Sequence, residues 1–217
     1  MKYQVVIWDL DGTLLDTLQD LANATNYALR TWVLPERTID EVRQFVGNGV
    51  RMLMKRAVPG GESHPAFENI FSTFKAYYVE HCQENTCLYP GIAETLQTLK
   101  EKGVRMGVVS NKLQAGVTEL YNAWFKDYME VGIGERPDVK RKPAPDMVAT
   151  ALREMGVSSK DAVYIGDSDV DIETARNSGL PCISVLWGFR DKSFLEAHGA
   201  EMFVTSPMEI VDIITRG

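Results

Sequence analysis

Hydrophobic residues recur along the chain in two patterns, and the change between them predicts how the chain is divided. Across residues 16–86 the apolar positions follow steps of three and four residues, which is the period of amphipathic helices. From Leu88 onward, short runs rich in β-branched residues alternate with helical segments, and a similar run opens the chain at residues 4–8. The pattern therefore predicts a Rossmann-like α/β core with a parallel sheet, built from residues 1–15 and 87–217, with an inserted α-helical cap domain at residues 16–86.

Individual elements follow from these periods and from the turn residues between them. Strands of the core are expected at residues 4–8, 104–109, 128–131, 162–165, 182–186 and 201–204. Helices of the core are expected at residues 92–102, 113–124, 145–155, 170–178, 194–198 and 208–215. In the insert, helices are expected at residues 18–32, 39–46, 50–57 and 65–84, and Thr38 with Glu41 has the spacing of a capping box.

Two carboxylates follow the first predicted strand directly. Asp9 and Asp11 are two residues apart, and Gly12 lets the chain turn sharply after them. Ligands of such sheets collect at the carboxyl ends of the strands, and adjacent carboxylates repel each other unless a cation or a proton intervenes. Mg²⁺ prefers oxygen ligands and phosphate-bearing substrates, so a magnesium site is expected here. The alternative is a surface turn, since Asp-Gly is a common turn signal.

Three more polar groups follow strands or precede helices of the core. They are Ser110-Asn111 after the second strand, Lys142 before Pro143, and the acidic run that contains Asp167 and Asp171. If the strands are parallel neighbours, these groups meet Asp9 at one edge of the sheet. Taken singly, each group also has a structural interpretation. Ser110-Asn111 could cap a helix, and Lys142 could be a solvated lysine. The acidic run could be an N-terminal helix cap with favourable first-turn charges.

Together these groups suit phosphoryl transfer. Asp9 would be the nucleophile that forms an aspartyl-phosphate, and Asp11 would serve as general acid and then as general base. Mg²⁺ between Asp9, Asp167 and the phosphate would neutralise developing charge. Ser110-Asn111, through a hydroxyl and a backbone N–H, would hold the non-bridging oxygens, and Lys142 would supply a positive charge.

Composition narrows the classes of partner. The chain has 217 residues, 45% of them hydrophobic, and a net charge of −7 without a basic block. Nucleic acid and anionic membranes are therefore not expected as main partners. Three cysteines, no apolar run of membrane-spanning length, and a first strand that leaves no room for a signal peptide predict a cytoplasmic protein. Both a monomer and a homodimer remain open.

The order of the four motifs resembles that of the haloacid dehalogenase-like superfamily of phosphohydrolases, over nearly the whole chain. The resemblance implies Asp9 as nucleophile and Asp11 as acid and base. It implies Mg²⁺ bound by Asp9, the Asp11 carbonyl and Asp167, with Asp171 behind them or reaching the ion through water. The transferred phosphoryl group would be bound by Thr13, Ser110, Asn111 and Lys142. The dehalogenase branch lacks the second aspartate, so Asp11 argues against it.

Within the superfamily, four stretches are similar to those of phosphoglycolate phosphatases. They lie at residues 46–50, 88–91, 139–145 and 166–172. That group often has threonine where this chain has Ser110, and either residue supplies a hydroxyl. The likeness implies a small phosphorylated metabolite, with 2-phosphoglycolate as the best candidate. Pyrophosphatases share these stretches, a sugar-phosphate mutase would use the same intermediate, and a non-catalytic binding protein is a third alternative.

The insert carries one candidate anion-binding loop. Gly47 and Asn48, followed by Gly49 at a predicted helix start, would offer backbone N–H groups to an anion such as a small carboxylate. Arg51 follows on the same helix and could add a charge. The alternative is a plain glycine turn between two helices.

Overall fold

The computed structural model describes residues 1–216, which form two compact units. One unit comprises Met1–Leu14 and the chain from Leu88 onward, and the other comprises Leu15–Cys87. The strands are β1 (Val5–Trp8), β2 (Leu15–Asp16), β3 (Cys87–Leu88), β4 (Arg105–Leu113), β5 (Val131–Glu135), β6 (Ala162–Gly166), β7 (Cys182–Val185) and β8 (Met202–Val204).

The helices divide between the two units. Those in Leu15–Cys87 are α1 (Leu18–Thr31), α2 (Ile39–Phe45), α3 (Val50–Ala57) and α4 (Phe67–His81), with a 3₁₀ turn at Gly61–Ser63. Those of the other unit are α5 (Ile92–Glu101), α6 (Gln114–Leu120), α7 (Asp146–Met155), α8 (Asp169–Asn177), α9 (Lys192–Ala197) and α10 (Pro207–Thr215), with a π-helical turn at Tyr121–Phe125 and a 3₁₀ turn at Ser159–Asp161.

The unit that contains both termini is built on a six-stranded sheet in the order β5-β4-β1-β6-β7-β8. Its strand pairings are parallel, which confirms the α/β architecture expected from the sequence. Strand β1 lies between β4 and β6, and all four of its residues are buried. A strand covered on both faces reads as a continuous apolar run, which is the pattern of Val5–Trp8.

The register of the central strands determines which polar residues meet. Trp8 pairs with Val108 on one side and with Ile165 on the other. The residues that follow these three positions therefore lie toward the same edge of the sheet, and they include Asp9 and Asp167.

Two strand predictions were wrong in their bounds. The second strand continues past Val109, so Ser110-Asn111 lies within β4 and not after it. Between Val109 and Leu113 the pairing with β5 shifts, and three residues of β4 stand opposite Gly134 alone. Such a bulge bends a strand and redirects its side chains. Strand β5 begins at Val131, later than predicted, because pairing with β4 overrides the weak strand propensity of its two glycines.

The unit Leu15–Cys87 is mainly helical, and its core forms from one side of α4. The aromatic and aliphatic residues on that side are buried, as their spacing predicts: Phe67, Ile70, Phe71, Phe74 and Tyr78. The capping box of α2 is also confirmed, since Thr38 and Glu41 exchange hydrogen bonds. Near the end of this unit, the buried carboxylate of Asp20 accepts hydrogen bonds from the backbone and side chains of Asn85 and Thr86.

Candidate active site

A tight turn after β1 places Asp9 and Asp11 at the edge of the sheet. Asp9 is 6% exposed, and its backbone N–H donates to Ile165 O of the neighbouring strand at 2.8 Å. Gly12 has φ +90°, and a Cβ built there would lie 2.5 Å from Asp167 Oδ2. Glycine is therefore required both by the backbone conformation and by the close approach of Asp167.

Lys142 lies beside Asp9 and makes three hydrogen bonds through its ammonium group. The distances are 2.5 Å to Asp9 Oδ1, 2.8 Å to Asp171 Oδ1 and 3.1 Å to Tyr164 Oη. The residue is 4% exposed. These three contacts use all the N–H donors of an ammonium group. Lys142 is therefore the counter-ion of two buried carboxylates.

The side chain of Asn111 fixes the backbone of Lys142. Its Nδ2 donates to Lys142 O at 3.0 Å, and its Oδ1 accepts from Lys142 N at 2.8 Å. The Lys142–Pro143 peptide bond is cis. The Asn111 side-chain amide is thus engaged with protein, whereas the predicted contact with phosphate uses its backbone N–H.

Asp171 is held by the first turn of α8. Its Oδ2 accepts from the N–H groups of Asp167 and Ser168 and from Ser168 Oγ, while Oδ1 accepts from Lys142 and Tyr164. Ser168 is the N-cap residue of α8. Gly166 is required beneath this group, because a Cβ there would lie 2.3 Å from Asp171 Cβ. Both oxygens of Asp171 are thus engaged, which favours a role behind the metal ligands.

Asp167 is positioned by a hydroxyl and a backbone N–H. Thr13 Oγ1 donates to its Oδ1 at 3.3 Å, and Phe189 N donates to its Oδ2 at 2.7 Å. Thr13 is fully buried, and its carbonyl accepts from Trp187 Nε1 at 3.0 Å. The structure therefore places the Thr13 hydroxyl on Asp167, whereas the sequence suggested a contact with phosphate.

Three buried carboxylates form a group that fits a divalent cation. Oxygen atoms of Asp9, Asp167 and Asp171 all lie within 4.8 Å of one another. Lys142 is in direct contact with two of them, Asp9 and Asp171. Buried charges of one sign require further compensation, and an all-oxygen donor set suits a hard ion such as Mg²⁺. The donor chemistry therefore fits the predicted ion.

The pKa values of the carboxylates in the metal-free site also indicate that the site favours a bound cation. Burial and the charge of Asp171 hold the pKa of Asp9 well above its usual range, although Lys142 opposes the shift. Burial and Asp171 also raise the pKa of Asp167 to about 7, against the lowering effect of the Phe189 N–H group. A bound cation would favour the ionised form of both groups, so ion and protons compete for the site.

This competition gives a pH-dependent response to magnesium. Asp167 binds a proton more readily in the folded than in the unfolded chain, so its contribution to the stability of the metal-free protein declines as the pH rises through about 7. Mg²⁺ should therefore raise Tm by about 5 °C or more near pH 8 and by less near about pH 6. Differential scanning calorimetry with Mg²⁺ or EDTA measures this effect. Asp167→Asn should remove it, and an equal Mg²⁺ response at both pH values would contradict the assignment.

Ser110 and Asp11 lie at the same edge. Ser110 is 2% exposed, and its Oγ accepts from Lys112 N at 3.1 Å, which leaves the hydroxyl hydrogen for another acceptor. Asp11 is partly exposed, and its Oδ1 lies 3.4 Å from Lys112 Nζ. Lys112 is thus a cation beside the predicted acid and base.

The predicted anion-binding loop belongs to the helical unit. Asn48 has φ +62° and the two glycines beside it also have positive φ, so the loop is a left-handed turn before α3. The Arg51 guanidinium forms ion pairs with Glu62 and Glu68 within the same unit. Contact of Gly47, Asn48 and Arg51 with a substrate stays a prediction.

Sequence reasoning assigned no role to several residues of this site. Lys112 directly follows Ser110-Asn111, but its partner Asp11 is 101 residues away, so the sequence gives no sign of their contact. Tyr164, which donates to Asp171, has the sequence context of an ordinary strand residue. Phe189 donates to Asp167 through its backbone N–H, so its side chain gives no signal of the contact. Gly188 lies three residues after the end of β7, and glycine is required there because a Cβ would lie 2.3 Å from Asp167 Cβ.

Comparison with known proteins decides the family. A family model described as haloacid dehalogenase-like hydrolase matches residues 6–185, most of the chain. This chain belongs to the haloacid dehalogenase-like hydrolases. The resemblance inferred from the motifs is therefore confirmed.

Relatives within this hydrolase family carry a consistent name. The chain is 31% identical over 220 residues to the phosphoglycolate phosphatase of Pseudomonas putida, covering 96% of this chain and 76% of that protein. It is 36% identical to that of Rhodobacter capsulatus, with 90% of each chain covered. The expectation of a phosphoric monoester hydrolase close to these enzymes agrees with their names.

Solved structures confirm the fold of this hydrolase. A Lactobacillus delbrueckii protein provisionally named phosphoglycolate phosphatase superposes with a TM-score of 0.95 at 35% identity, and 100% of both chains is covered. A Haemophilus somnus protein described as a predicted phosphoglycolate phosphatase gives a TM-score of 0.89 at 27% identity, with 98% of both chains covered. Within residues 1–216, none of the helices has the length and apolar character needed to cross a bilayer.

Proposed function

We propose that this chain is a Mg²⁺-dependent phosphatase that hydrolyses a small phosphomonoester through an aspartyl-phosphate on Asp9. The observation that carries the proposal is the buried group of Asp9, Asp167 and Asp171 with Lys142 bonded to Asp9 at 2.5 Å. A carboxylate and an ammonium group side by side at a strand end suit attack on an anionic phosphorus centre.

The first step transfers the phosphoryl group to the protein. Asp9 attacks phosphorus, a P–O bond to Asp9 forms, and the bond to the leaving oxygen breaks. Asp11 donates a proton to that oxygen, which departs as a neutral alcohol. Magnesium, when bound, neutralises charge on the phosphoryl oxygens and orients them. Asp167 is the main candidate besides Asp9 to hold the ion, because Thr13 and the Phe189 N–H group fix its orientation.

The second step releases phosphate. Asp11, now ionised, takes a proton from water as the water oxygen attacks phosphorus. The bond to Asp9 breaks, and its electron pair returns to the carboxylate. Lys142 stays beside Asp9 throughout, held by Asp171 and Tyr164, so its charge needs no reorganisation during the reaction.

Ser110 and Asn111 would bind the non-bridging oxygens. Both residues lie in the bulge of β4, and the Ser110 hydroxyl hydrogen and the Asn111 backbone N–H are both donors. Donors fixed by a strand cost little reorganisation when charge develops on an oxygen.

The best candidate substrate is 2-phosphoglycolate, supported by the names of the relatives from Pseudomonas putida and Rhodobacter capsulatus.

We expect metal-dependent phosphate release from a panel of 2-phosphoglycolate, pyrophosphate, β-glucose 1-phosphate and an aryl phosphate. The values of kcat/KM should be largest for 2-phosphoglycolate, and EDTA should reduce release to background. Faster cleavage of pyrophosphate would indicate a pyrophosphatase, and isomerisation of the sugar phosphate without release would indicate a mutase. No turnover of any compound by folded, Mg²⁺-loaded protein would overturn the phosphatase assignment.

A further inference from the structure

Trp187 connects loops that form the candidate active site. It lies in the loop after β7, and its indole Nε1 donates a hydrogen bond at 3.0 Å to the carbonyl oxygen of Thr13, in the turn after β1. The Thr13 hydroxyl donates in turn to Oδ1 of Asp167, directly after β6, at 3.3 Å. Two successive hydrogen bonds therefore link Trp187 to a carboxylate that is a candidate ligand of Mg²⁺.

The loop after β7 also engages the second oxygen of Asp167. Phe189 N donates to Asp167 Oδ2 at 2.7 Å. A Cβ built at Gly188 would lie 2.3 Å from Asp167 Cβ and 2.5 Å from the carbonyl oxygen of Gly12. A Cβ at Gly12 would lie 2.7 Å from atoms of the Phe189 ring. This loop is therefore packed closely against both the turn after β1 and Asp167, so its position determines how the Asp167 carboxylate is oriented.

We propose that Trp187 is a positioning residue of the candidate metal site, which fixes Thr13 so that its hydroxyl orients Asp167 for Mg²⁺. The inference rests on the proposed function, in which Asp9 and Asp167 hold the ion. Hydrogen bonds to a metal-binding carboxylate fix its orientation, and loss of such a partner weakens metal binding by about 10- to 100-fold. Because Trp187 acts through Thr13, we expect an effect at the lower end of this range.

The indole N–H, and not the bulk of the ring, would carry this role. Thr13 is fully buried, so its carbonyl oxygen depends on partners within the protein. Trp187 is only partly buried. Phenylalanine keeps an aromatic ring at this position but has no donor for the Thr13 carbonyl. Trp187→Phe therefore removes the hydrogen bond while an aromatic ring stays in the loop.

Titration calorimetry of Mg²⁺ with the metal-free protein tests the proposal without turnover. Trp187→Phe should raise Kd for Mg²⁺ by about tenfold. Trp32→Phe is the matched control, because it removes an indole hydrogen bond of 3.1 Å to Thr73 Oγ1 in the helical unit. Its Kd should equal that of the wild type. Thr13→Val removes the hydroxyl that reaches Asp167, and it should raise Kd by at least as much as Trp187→Phe.

A double variant shows whether Trp187 acts through Thr13. In the Thr13→Val background, Trp187→Phe should raise Kd further by less than about twofold, because the hydroxyl that it positions is gone. Thermal unfolding in EDTA measures the contribution of each residue to stability separately. A residue that only stabilises the fold would lower Tm and leave Kd for Mg²⁺ unchanged.

Three outcomes would overturn the inference. They are an unchanged Kd in folded Trp187→Phe, an unchanged Kd in Thr13→Val, and fully additive effects of the two substitutions. Thr13→Val tests the same connection if Trp187→Phe does not fold. Phosphate release from the wild-type protein tests the proposed function separately. Metal-dependent release with any of these three outcomes would leave the phosphatase standing and remove only the role of Trp187.

Discussion

Asp9→Asn is expected to lower kcat for phosphate release by about four orders of magnitude or more while the protein stays folded. An amide cannot supply the electron pair that forms the aspartyl-phosphate. The amide oxygen can still accept the hydrogen bond that Lys142 makes with Asp9 at 2.5 Å. The loss should therefore arise from chemistry and not from disruption of the buried group.

A phosphate-release assay with saturating Mg²⁺ and the best substrate of the panel measures this effect. Asp161→Asn provides the matched control, because Asp161 is exposed and belongs to the same unit. The control should retain full activity, and both variants should keep the thermal transition of a folded protein. Turnover of Asp9→Asn within about tenfold of wild type would exclude Asp9 as the nucleophile, since this loss is far below that expected for a nucleophile.

The sequence could predict that the main polar groups lie close together at one edge of the sheet, because this depends on a general property of parallel sheets. Strands β1, β4 and β6 are neighbours in register, so residues that follow them gather at one edge. Asp9 and Asp167 could be placed there from the apolar run before each of them. Lys142 could be placed only through its motif, because it lies in a segment without regular structure.

The partners of these groups were not predictable, because they depend on contacts between distant segments. Asn111 clamps the backbone of Lys142, 31 residues away, and Thr13 donates to Asp167 across 154 residues. Local sequence gives no sign of either bond. The reach of Lys112 toward Asp11 depends on the bulge in β4, and glycine-rich β5 gave too weak a strand signal to reveal that bulge.

The same limit applies to the role of Arg51. A cation just after a glycine turn suggests an anion site, and this pattern is visible in the sequence. Its two carboxylate partners, Glu62 and Glu68, follow 11 and 17 residues later, beyond the reach of contacts within one helix. Folding of the helical unit brings them together, so the sequence could not distinguish substrate recognition from a structural ion pair.

Lys142→Met should reduce the stability of the metal-free protein more than any other single change to the site. Burial disfavours a charged Lys142, but Asp171 and Asp9 outweigh it and hold its pKa above the usual range. Methionine fills a similar volume and leaves both carboxylates buried without a counter-ion. Removal of one partner from such a group lowers the free energy of unfolding by about 3–5 kcal/mol, or about 6–20 °C in Tm for a chain of this size.

A second substitution shows whether this loss of stability arises from charge or from packing. Asp9→Asn in the Lys142→Met background removes one uncompensated carboxylate, so the double variant should be more stable than Lys142→Met alone. Denaturant unfolding in EDTA near about pH 8 measures the difference, and Lys126→Met should shift stability by less than about 0.5 kcal/mol. Because protonation of Asp9 and Asp167 relieves the same repulsion, the loss should diminish as the pH falls. A loss that is independent of pH and unchanged in the double variant would show that Lys142 stabilises the fold through packing and not through its charge.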